Sequence, residues 1–412
     1  MSKLLVIADD FTGALDTGVQ FAKDGINSRV FFGKPEELPD VKDNEVLVYN
    51  TGSRHLTPEE AYGIVSKACA KAKKLCFTHV YKKTDSGLRG HIGAELQAAM
   101  DGFGTETLHF FPAYPKVNRV TKDGIHLIDG KPVNESVFGR DPFNPVTKSS
   151  VAEILAEETK VQTYNHGIGE SGSGKGIHIH DAEKNEDFAA SAAKTRVEEL
   201  KVTSGCAGFA ATLSSVIGLK GGETHCSFHG TRTIAVSGSI NPVTQEMMAY
   251  ANRTGLERVV LVGRPKADKN YFASGDGDQL VAKALEVSVS KGIFIIDVGP
   301  KDEPGHETEA YVKEQDMTFQ QLMDGIADNL GALGKRILDK AEDTVLLCIG
   351  GDTLSSTVSA LGIDSIKPVS ELYPGVVLTE VNYGGKLLSI ITKSGGFGDV
   401  DLLEKIRDDV QR

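Results

Sequence analysis

The chain has 412 residues, of which 40% are hydrophobic and 25% are charged. This composition is ordinary for a globular protein of two or three domains. The formal net charge of −12 argues against a nucleic-acid or anionic-membrane partner, although a local basic cluster can still hold a small anion. No apolar run approaches the roughly 20 residues of a membrane span, no signal peptide is expected, and the five cysteines form no CxxC pair. We therefore expect a reduced, cytoplasmic protein without a membrane partner.

The first predicted element is a buried strand over 4–7, an apolar run of the kind found in parallel sheets. Asp9 and Asp10 follow it directly, and then comes a helix with an apolar face, for which Thr12 is the expected N-cap. Open α/β sheets bind ligands at the carboxyl ends of their strands. We therefore expect the two aspartates to face a ligand; the alternative is that the pair only caps the helix.

Strand and helix patterns alternate through the first half of the chain. Thr57 and Glu60 form a capping box with Pro58 at the first helical position, which predicts a helix ending at about Lys74. An Asp129-Gly130 turn between apolar residues predicts a β-hairpin. The other predicted strands lie at 29–32, 46–49, 77–81, 108–111 and 176–180, and helices are predicted around 95–100 and 150–158.

A polar, glycine-rich stretch at 221–230 indicates a linker between an amino-terminal domain, 1–220, and a carboxy-terminal domain, 231–412. Beyond it, strands are predicted at 233–236, 259–262, 293–296 and 345–349, and a long amphipathic helix at about 319–340. The predicted fold class is α/β with two lobes, each built on a mainly parallel sheet flanked by helices. We expect the active site in the cleft between the lobes.

One glycine-rich segment resembles a phosphate loop without its context. Residues 169–175 match most of a Walker A motif, and Gly167 begins a GxGxxG pattern. Gly176 stands where a phosphate loop needs Ser or Thr, and the following residues resemble a strand rather than a helix. We predict a surface connection here. No metal site is predicted from two histidine groups, because no further cluster completes a ligand set: His178 with His180, and His225 with Cys226 and His229.

Three glycine-rich turns in the second half follow predicted buried strands. They are SGSINPVT from Ser237, GGDT from Gly350 and KSGGFGD from Lys393. Glycines at such turns let backbone N–H groups approach an anion closely and direct a helix N-terminus toward it. Three such turns on one lobe predict a nucleotide phosphate site.

Charged residues follow the strands of the first half as well. Because parallel strands end along one edge of a sheet, these residues are expected to converge with Asp9 and Asp10. Cations bind a substrate carboxylate, and aspartates accept hydrogen bonds from hydroxyls and remove a proton. The pattern favours a small polyhydroxy acid; the alternative for any one residue is exposure to solvent. The residues are Arg54, Lys82, Lys83, Asp85 and Arg89.

The ordered blocks resemble the four-carbon acid sugar kinases over nearly the whole chain. This resemblance implies ATP-dependent phosphorylation of the terminal (C4) hydroxyl of a tetronate, with Mg²⁺ bridging phosphate oxygens. It also implies that the amino-terminal lobe binds the acid and the carboxy-terminal lobe binds ATP. The blocks are ADDFTGALDTG from Ala8, KKTDSGLRG from Lys82, PAYP from Pro112, DPFNP from Asp141, GCAGFA from Gly205, PGV from Pro374 and the three glycine-rich turns.

The resemblance also implies which residues form the two sites. Asp10 is the first choice for the group that orients or deprotonates the hydroxyl, and Asp85 is the second. Substrate contacts are expected at Asp9, Asp10, Arg54, Lys83, Thr84, Asp85, Ser86 and Arg89. Nucleotide contacts are expected at Ser239, Gly350, Gly351, Asp352, Thr353, Gly395, Gly396, Phe397 and Gly398.

The acid itself stays open between D-threonate and D-erythronate, with 3-oxo-tetronate as the alternative substrate. A non-catalytic sugar-acid sensor and a nicotinamide-dependent hydroxy-acid oxidoreductase are less favoured. The oxidoreductase would need a GxGxxG turn that leads from a strand into a helix. A homodimer is expected only because closed dimers are the commonest assembly.

Overall fold

The computed structural model describes residues 2–141, 143–224, 226–300 and 306–412. The chain divides into two compact units, Met1–Thr224 and His225–Arg412, called unit 1 and unit 2 below. The predicted linker at 221–230 spans this division; its His225, like Pro142 of the DPFNP block, lies outside the described residues. None of the helices in the described ranges has the length and apolar character that a membrane span requires.

In unit 1, strands alternate with helices around one parallel sheet whose strand order is β2-β3-β1-β4-β11-β5-β10-β9. Strands β6, β7 and β8 form a small antiparallel sheet, and the predicted Asp129-Gly130 turn joins the last two. The elements are β1 (Leu4–Ala8), α1 (Phe11–Lys23), β2 (Ser28–Phe31), β3 (Val46–Asn50), α2 (Pro58–Lys74), β4 (His79–Lys83), α3 (Ile92–Phe103), β5 (Thr107–Phe111), β6 (Arg119–Lys122), β7 (Ile125–Ile128), β8 (Lys131–Pro132), α4 (Val151–Ala156), β9 (Thr163–His166), β10 (Gly176–His180), α5 (Asn185–Ala192), β11 (Val202–Gly205) and α6 (Ala207–Val216).

Two helix starts show how local chemistry sets these bounds. The Thr57–Glu60 capping box forms as predicted, with each side chain bonded to the other's backbone, and α2 ends at Lys74. The prediction of Thr12 as the N-cap of α1 is wrong, because Thr12 lies inside the first turn. Asp10 is the N-cap: its Oδ1 accepts from the N–H of Gly13 at 2.9 Å. A carboxylate there also meets the positive end of the helix dipole.

In unit 2, the strand order is β13-β14-β12-β15-β18-β17-β16. The first five strands are parallel, whereas β17 and β16 run antiparallel at the end of the sheet, an addition to the predicted parallel pattern. The elements are β12 (Arg232–Ser237), α7 (Pro242–Arg253), β13 (Arg258–Val260), α8 (Arg264–Ala267), α9 (Tyr271–Ser274), α10 (Asp278–Lys291), β14 (Ile293–Asp297), α11 (Glu307–Glu314), α12 (Phe319–Lys340), β15 (Thr344–Ile349), α13 (Gly351–Leu361), β16 (Ser365–Tyr373), β17 (Val376–Tyr383), β18 (Lys386–Lys393) and α14 (Leu402–Gln411).

Each unit has its own apolar core. In unit 1, side chains of β1, β3 and β4 pack against α2 and α3, and Leu5, Leu47 and Val80 are fully buried. In unit 2, α7 and α14 pack on β12, β15 and β18, where Leu347 and Ile391 are fully buried. Continuous apolar strands of this kind are expected where helices cover both faces of a sheet, and they place all the strand ends of a unit at one rigid edge.

A stack of four histidines, His109, His166, His178 and His180, occupies the β5-β10-β9 end of unit 1. The ring of His109 lies 4.9 Å from that of His178 and 5.2 Å from that of His180. Burial lowers the pKa of His109 to about 3 and the pKa of His180 to about 2, and the neighbouring imidazoles act in the same direction. The 169–175 loop covers this stack, with Gly172 against the His166 ring, and leads into strand β10. The loop thus has the structural context that we predicted for it.

Acid is expected to destabilise unit 1 through this stack. Folded His180 stays neutral down to about pH 2, whereas an unfolded histidine binds a proton below about pH 6.5. The stabilisation is therefore complete above pH 6.5 and declines as the pH falls below it. His180→Phe retains an aromatic ring to stack on Phe111. The unfolding free energy of the wild-type protein should decrease between pH 7 and pH 5. In His180→Phe this decrease should be smaller by about 2 kcal/mol.

Urea unfolding of unit 1 at both pH values measures this difference. The matched control is His55→Gln, at an exposed position of the same unit, which should leave the difference between pH 7 and pH 5 unchanged. An equal pH dependence in His180→Phe and in the wild-type protein would contradict the prediction.

Candidate active site

The strands of unit 1 end in register where the predicted substrate residues begin. Ala8, the last residue of β1, pairs with Asn50 of β3 and with Lys83 of β4. The next residues along the chain, Asp9 and Thr84 among them, therefore leave the sheet at the same level. The structure brings the predicted residues of this half together at one edge.

Arg54 holds the first pair of aspartates. Its Nε and Nη2 donate to the two oxygens of Asp9 at 2.8 and 3.0 Å, and its Nη1 donates to Asp10 Oδ2 at 2.7 Å. Asp9 is 2% exposed, whereas 29% of the Asp10 side chain is exposed. Asp10 is thus both the N-cap of α1 and the accessible carboxylate of the pair. The sequence left two alternatives for the aspartates, capping the helix or facing a ligand, and Asp10 is placed so that it can do both.

Arg89 holds the third aspartate in the same way. Its Nε and Nη2 donate to Asp85 at 2.8 and 3.1 Å, and its Nη1 donates to Asp141 at 3.0 Å. The backbone N–H of Gly87 also donates to Asp85, at 3.1 Å. Arg54 Nη2 lies 3.8 Å from Asp85 Oδ1 and links the two clusters. The result is an alternating network of carboxylates and guanidinium groups, with most lone pairs of Asp85 already occupied.

Charge neighbours, rather than burial, decide the protonation of the two buried aspartates. Burial alone would raise the pKa of Asp85, but the charges of Arg54 and Arg89 outweigh it and hold that pKa well below its usual range. The pKa of Asp9 is lowered in the same way by Arg54 and Lys82 against the effect of burial. Both groups therefore stay ionised at neutral pH, and neither is suited to accept a proton there.

A second buried ion pair, between Lys82 and Glu95, stabilises this edge of unit 1. Lys82 Nζ, fully buried, lies 2.9 Å from Glu95 Oε2 on α3, and Ser53 Oγ donates to Glu95 Oε1 at 2.5 Å. Ser53 precedes Arg54 in the chain, so this contact anchors the backbone that carries the guanidinium group. Glu95 was not among the predicted site residues. Its signal in the sequence is a carboxylate on the apolar face of a predicted helix, which implies a buried partner.

Two polar groups at this edge, Lys83 Nζ and Thr84 Oγ1, can still form an ion pair or a hydrogen bond with a ligand. Lys83 is 5% exposed, and its Nζ donates to the carbonyl of Thr84 at 2.8 Å but forms no ion pair among the described residues. Thr84 Oγ1 is buried and has no hydrogen-bond partner there. A β-carbon on Gly13 would lie 2.8 Å from Lys83 Nζ and 2.5 Å from Asp10 Oδ1, so both charged groups lie directly against Gly13 and leave no room for a side chain there. Buried polar groups without partners are rare and indicate a missing ligand or water.

Arg119, which contacts Ser86, is a cation at this edge that was not among the predicted site residues. The Ser86 Oγ accepts a short hydrogen bond from Arg119 Nη1, and the Ser86 carbonyl accepts from His126 Nε2 at 2.9 Å. The Arg119 guanidinium lies over the Phe138 ring, 4.9 Å from its centre. Arg119 follows the PAYP block, which comes directly after strand β5, so the strand-end reasoning applied to Arg54 also covers this residue.

The predicted nucleotide residues of unit 2 begin at another aligned row of strand ends. Ser237 of β12 pairs with Ile349 of β15, and Ile349 pairs with Lys393 of β18. The three glycine-rich turns that follow are therefore neighbours at one edge. The structure brings together the turns that contain the predicted nucleotide residues.

Close contacts join the three turns. A β-carbon on Gly395 would lie 2.7 Å from Ser239 Oγ, and one on Gly350 would lie 3.8 Å from the Ser239 backbone nitrogen. Gly350 has φ 109°, a conformation open to glycine. Thr353 is buried, and its Oγ1 accepts from the N–H of Gly238 at 3.1 Å. The turns thus form one glycine-lined surface, as expected for close approach of a phosphate.

The acidic residues of this edge bear on where Mg²⁺ would be held together with a nucleotide. The described residues contain no group of three or more His, Cys, Asp or Glu side chains that could hold a metal ion. Magnesium in phosphoryl-transfer sites is commonly held by one or two carboxylates together with substrate phosphates. Asp352, exposed at the start of α13, is the predicted nucleotide residue that carries a carboxylate for such a contact.

Comparison with known proteins agrees with the prediction of a sugar-binding first half and a nucleotide-binding second half. Residues 4–213 match the family model of a sugar-binding N-terminal domain, and residues 234–403 match that of a nucleotide-binding C-terminal domain. Two solved structures have the same fold over 99% of this chain. They are a Haemophilus influenzae protein of family DUF1537, with TM-score 0.75, 22% identity and all of its chain covered, and a Salmonella typhimurium protein, with TM-score 0.80, 20% identity and 99% covered.

Curated relatives align along nearly their whole length. A D-threonate kinase of Salmonella typhimurium is 30% identical, over 96% of this chain and 95% of its own. A D-erythronate kinase of Heliobacterium modesticaldum and a 3-oxo-tetronate kinase of Cupriavidus necator are 26% and 24% identical, each over 97% of this chain and 95% of its own. With both domains matched and the fold shared, the chain belongs to the four-carbon acid sugar kinase family and is a sugar-acid kinase.

Proposed function

We propose that the protein transfers the γ-phosphoryl group of ATP to the C4 hydroxyl of a four-carbon sugar acid, D-threonate or D-erythronate. The observation that carries this proposal is that an accessible carboxylate, Asp10, and an ammonium without an ion pair among the described residues, Lys83, both lie against Gly13 at this edge. An ammonium without an ion pair is suited to a carboxylate, and carboxylate and hydroxyl oxygens are suited to sugar hydroxyls. The names of the relatives support the same class of substrate.

Each side chain of this edge has a definite task in the proposal. Lys83 binds the carboxylate of the acid, and the unpartnered Thr84 Oγ1 binds one of its hydroxyls. Asp10 orients the C4 hydroxyl and accepts its proton as the oxygen bonds to the γ-phosphorus; the bond from that phosphorus to the bridging oxygen breaks, and ADP leaves. Asp10 is held for this task by Arg54 and by the N–H of Gly13. Positioning of this kind supplies much of the catalysis in phosphoryl transfer.

The buried aspartates and their partners have a different role in the proposal. Asp9 uses both oxygens on Arg54, and Asp85 uses both on Arg89. These pairs keep the two guanidinium groups fixed, and they leave Asp10 as the base in preference to Asp85. Mg²⁺ bound with ATP would neutralise charge on the transferring phosphoryl group. Arg119, beside Ser86, is an additional cation that can face the same charge.

An assay of ADP release with a panel of acids tests the proposal. We expect turnover with D-threonate or D-erythronate, and none with neutral tetritols, which lack the carboxylate. Lys83→Met should raise the KM for the acid about tenfold or more, since a charge-assisted contact is lost. Lys83→Arg, which retains the charge, should recover part of that loss.

The control variant is Lys42→Met, at an exposed lysine of the same unit, which should leave KM and kcat unchanged. Product analysis by phosphorus NMR checks that the phosphoryl group is on C4. Preferred turnover of 3-oxo-tetronate would assign the other substrate of the family. Absence of ADP release with all three acids would contradict the proposal.

A further inference from the structure

Lys393 is a buried cation at the glycine-lined edge of unit 2 that our sequence analysis did not assign to a site. It is the last residue of β18 and is 2% exposed. Its Nζ contacts three neutral oxygens: Thr244 Oγ1 at 3.1 Å, the Ser394 carbonyl at 3.0 Å and the Gly395 carbonyl at 3.4 Å. Its register partners in the adjacent strands are the apolar Ile349 and Val376.

Buried cations elsewhere in the described residues show two arrangements. Lys82 pairs with Glu95 at 2.9 Å, and Arg54 pairs with Asp9 at 2.8 Å. Lys83, like Lys393, forms no ion pair with any described residue. No described carboxylate forms an ion pair with Lys393. A buried charge without a counter-charge is costly, so such groups are retained where a ligand supplies the opposite charge. Burial accordingly lowers the pKa of Lys393 to about 8.

The position of Lys393 among the turns indicates what that ligand is. The N–H of Gly350 donates to the Lys393 carbonyl at 3.0 Å. A β-carbon on Gly398 would lie 3.4 Å from Lys393 Cε, and Thr244, which Lys393 contacts, also accepts from Ser239 Oγ. The ammonium therefore contacts two of the three turns, through Thr244 and Gly395, and the backbone of Lys393 is hydrogen-bonded to the third.

We propose that Lys393 binds a phosphate of the nucleotide through its ammonium group, and that a proton is taken up together with the nucleotide at alkaline pH. The inference rests on the proposed use of ATP and adds a residue and a proton linkage to it. When a phosphate oxygen provides the missing negative charge, the charged form of the lysine becomes the stable one. Lys393 protonated at Nζ then contributes a point charge of the kind that lysines supply in phosphate sites.

Other titratable groups near Lys393 are accounted for by their own surroundings. Asp399 and Asp401 both pair with Lys405, at 3.2 and 2.8 Å. Cys348 is buried, which raises the pKa of its thiol to about 12. Acidic groups on adjoining elements include Asp352 in α13, Glu246 in α7, Glu371 in β16 and Glu380 in β17. None of the described groups forms an ion pair with Lys393, so it is the group expected to change its protonation between pH 7 and pH 9.

Calorimetric titration of the whole protein with Mg²⁺ and ATP, in buffers of different ionisation enthalpy, measures both the affinity and the protons exchanged. At pH 9 the wild-type protein should take up about 0.9 proton per site, because a group with a pKa of about 8 is mostly neutral there before binding. Lys393→Met should weaken ATP binding by about 10- to 100-fold and abolish the uptake. Lys393→Arg should bind ATP without the uptake, because arginine stays charged at that pH.

The matched control is Lys386→Met, an exposed lysine on the same strand that pairs with Glu342; it should bind ATP and take up the proton as wild type does. Wild-type binding without proton uptake at pH 9, or unchanged ATP affinity in Lys393→Met, overturns the inference and leaves the kinase proposal intact. Absence of ATP binding in the wild-type protein at both pH values overturns the proposed function itself. Should Lys393→Met fail to fold, the wild-type and Lys393→Arg uptake values decide the question.

Discussion

Asp10→Asn and Asp10→Ser should each lower kcat by about 10²- to 10⁴-fold, the usual contribution of a positioned general base. Both replacements remove the carboxylate that we propose as proton acceptor. Both also retain a side-chain oxygen that can accept from the N–H of Gly13, so the N-cap of α1 is preserved. The two roles of Asp10 are thereby separated, and a loss of activity cannot be attributed to an unravelled helix end.

The measurement is steady-state turnover at saturating ATP and acid, together with thermal unfolding of each variant. Asp10→Ala is the matched control, because it removes the carboxylate and the cap together and should cost about 1 kcal/mol of stability in addition. Turnover near the wild-type value in Asp10→Asn would remove Asp10 from the catalytic role.

Asp9→Ala is expected to reduce the unfolding free energy of unit 1 by about 3–5 kcal/mol, since it leaves a buried guanidinium group without its main partner. Arg54 donates two hydrogen bonds to Asp9, and the two side chains are 10% and 2% exposed. The change also frees Arg54 to move away from Asp10, so kcat should fall as well. In this variant the loss of stability is expected to be the larger effect.

Hydrogen exchange of the β1 and β4 amides in increasing urea follows unit 1 separately from unit 2. Glu36→Ala provides the comparison within the same unit: Glu36 lies 3.7 Å from Lys67, and both side chains are more than 60% exposed. Exposed pairs of this kind contribute about 0–1 kcal/mol. Equal losses of stability in the Asp9 and Glu36 variants would show that Asp9 does not carry the buried pair.

Much of the fold was accessible from the sequence because its signals are local. Apolar runs such as 4–7 and 345–349 predicted the buried strands β1 and β15, and the Thr57 capping box predicted the start of α2. The long amphipathic pattern predicted α12, which spans Phe319–Lys340. These features depend on residues within one or two turns of each other, so no knowledge of the tertiary contacts was needed.

The placement of the candidate residues was predictable to the level of a sheet edge. Strand ends in a parallel sheet lie together, so Asp10, Arg54 and Lys83 could be expected at one edge and the glycine-rich turns at another. Thr12 was wrongly predicted as the N-cap of α1 because Asp10 and Thr12 both carry a side-chain oxygen that can cap a helix. In the structure the carboxylate of Asp10 is the cap. The antiparallel strands β16 and β17 were not predicted, because their alternating pattern is weaker than the apolar runs beside them.

The sequence by itself determined the α/β class, the alternation of strands and helices in both halves and the kinase family, and it predicted a different chemistry at the strand ends of each half. Only the tertiary structure decided which groups at those ends are already paired and which are left for a ligand. Arg54 meets Asp9 across 45 positions and Lys82 meets Glu95 on a separate helix, whereas Lys83, Thr84 and Lys393 meet no carboxylate among the described residues. Pairing of this kind depends on strand register and on burial from all sides, and these are long-range properties that no local pattern encodes.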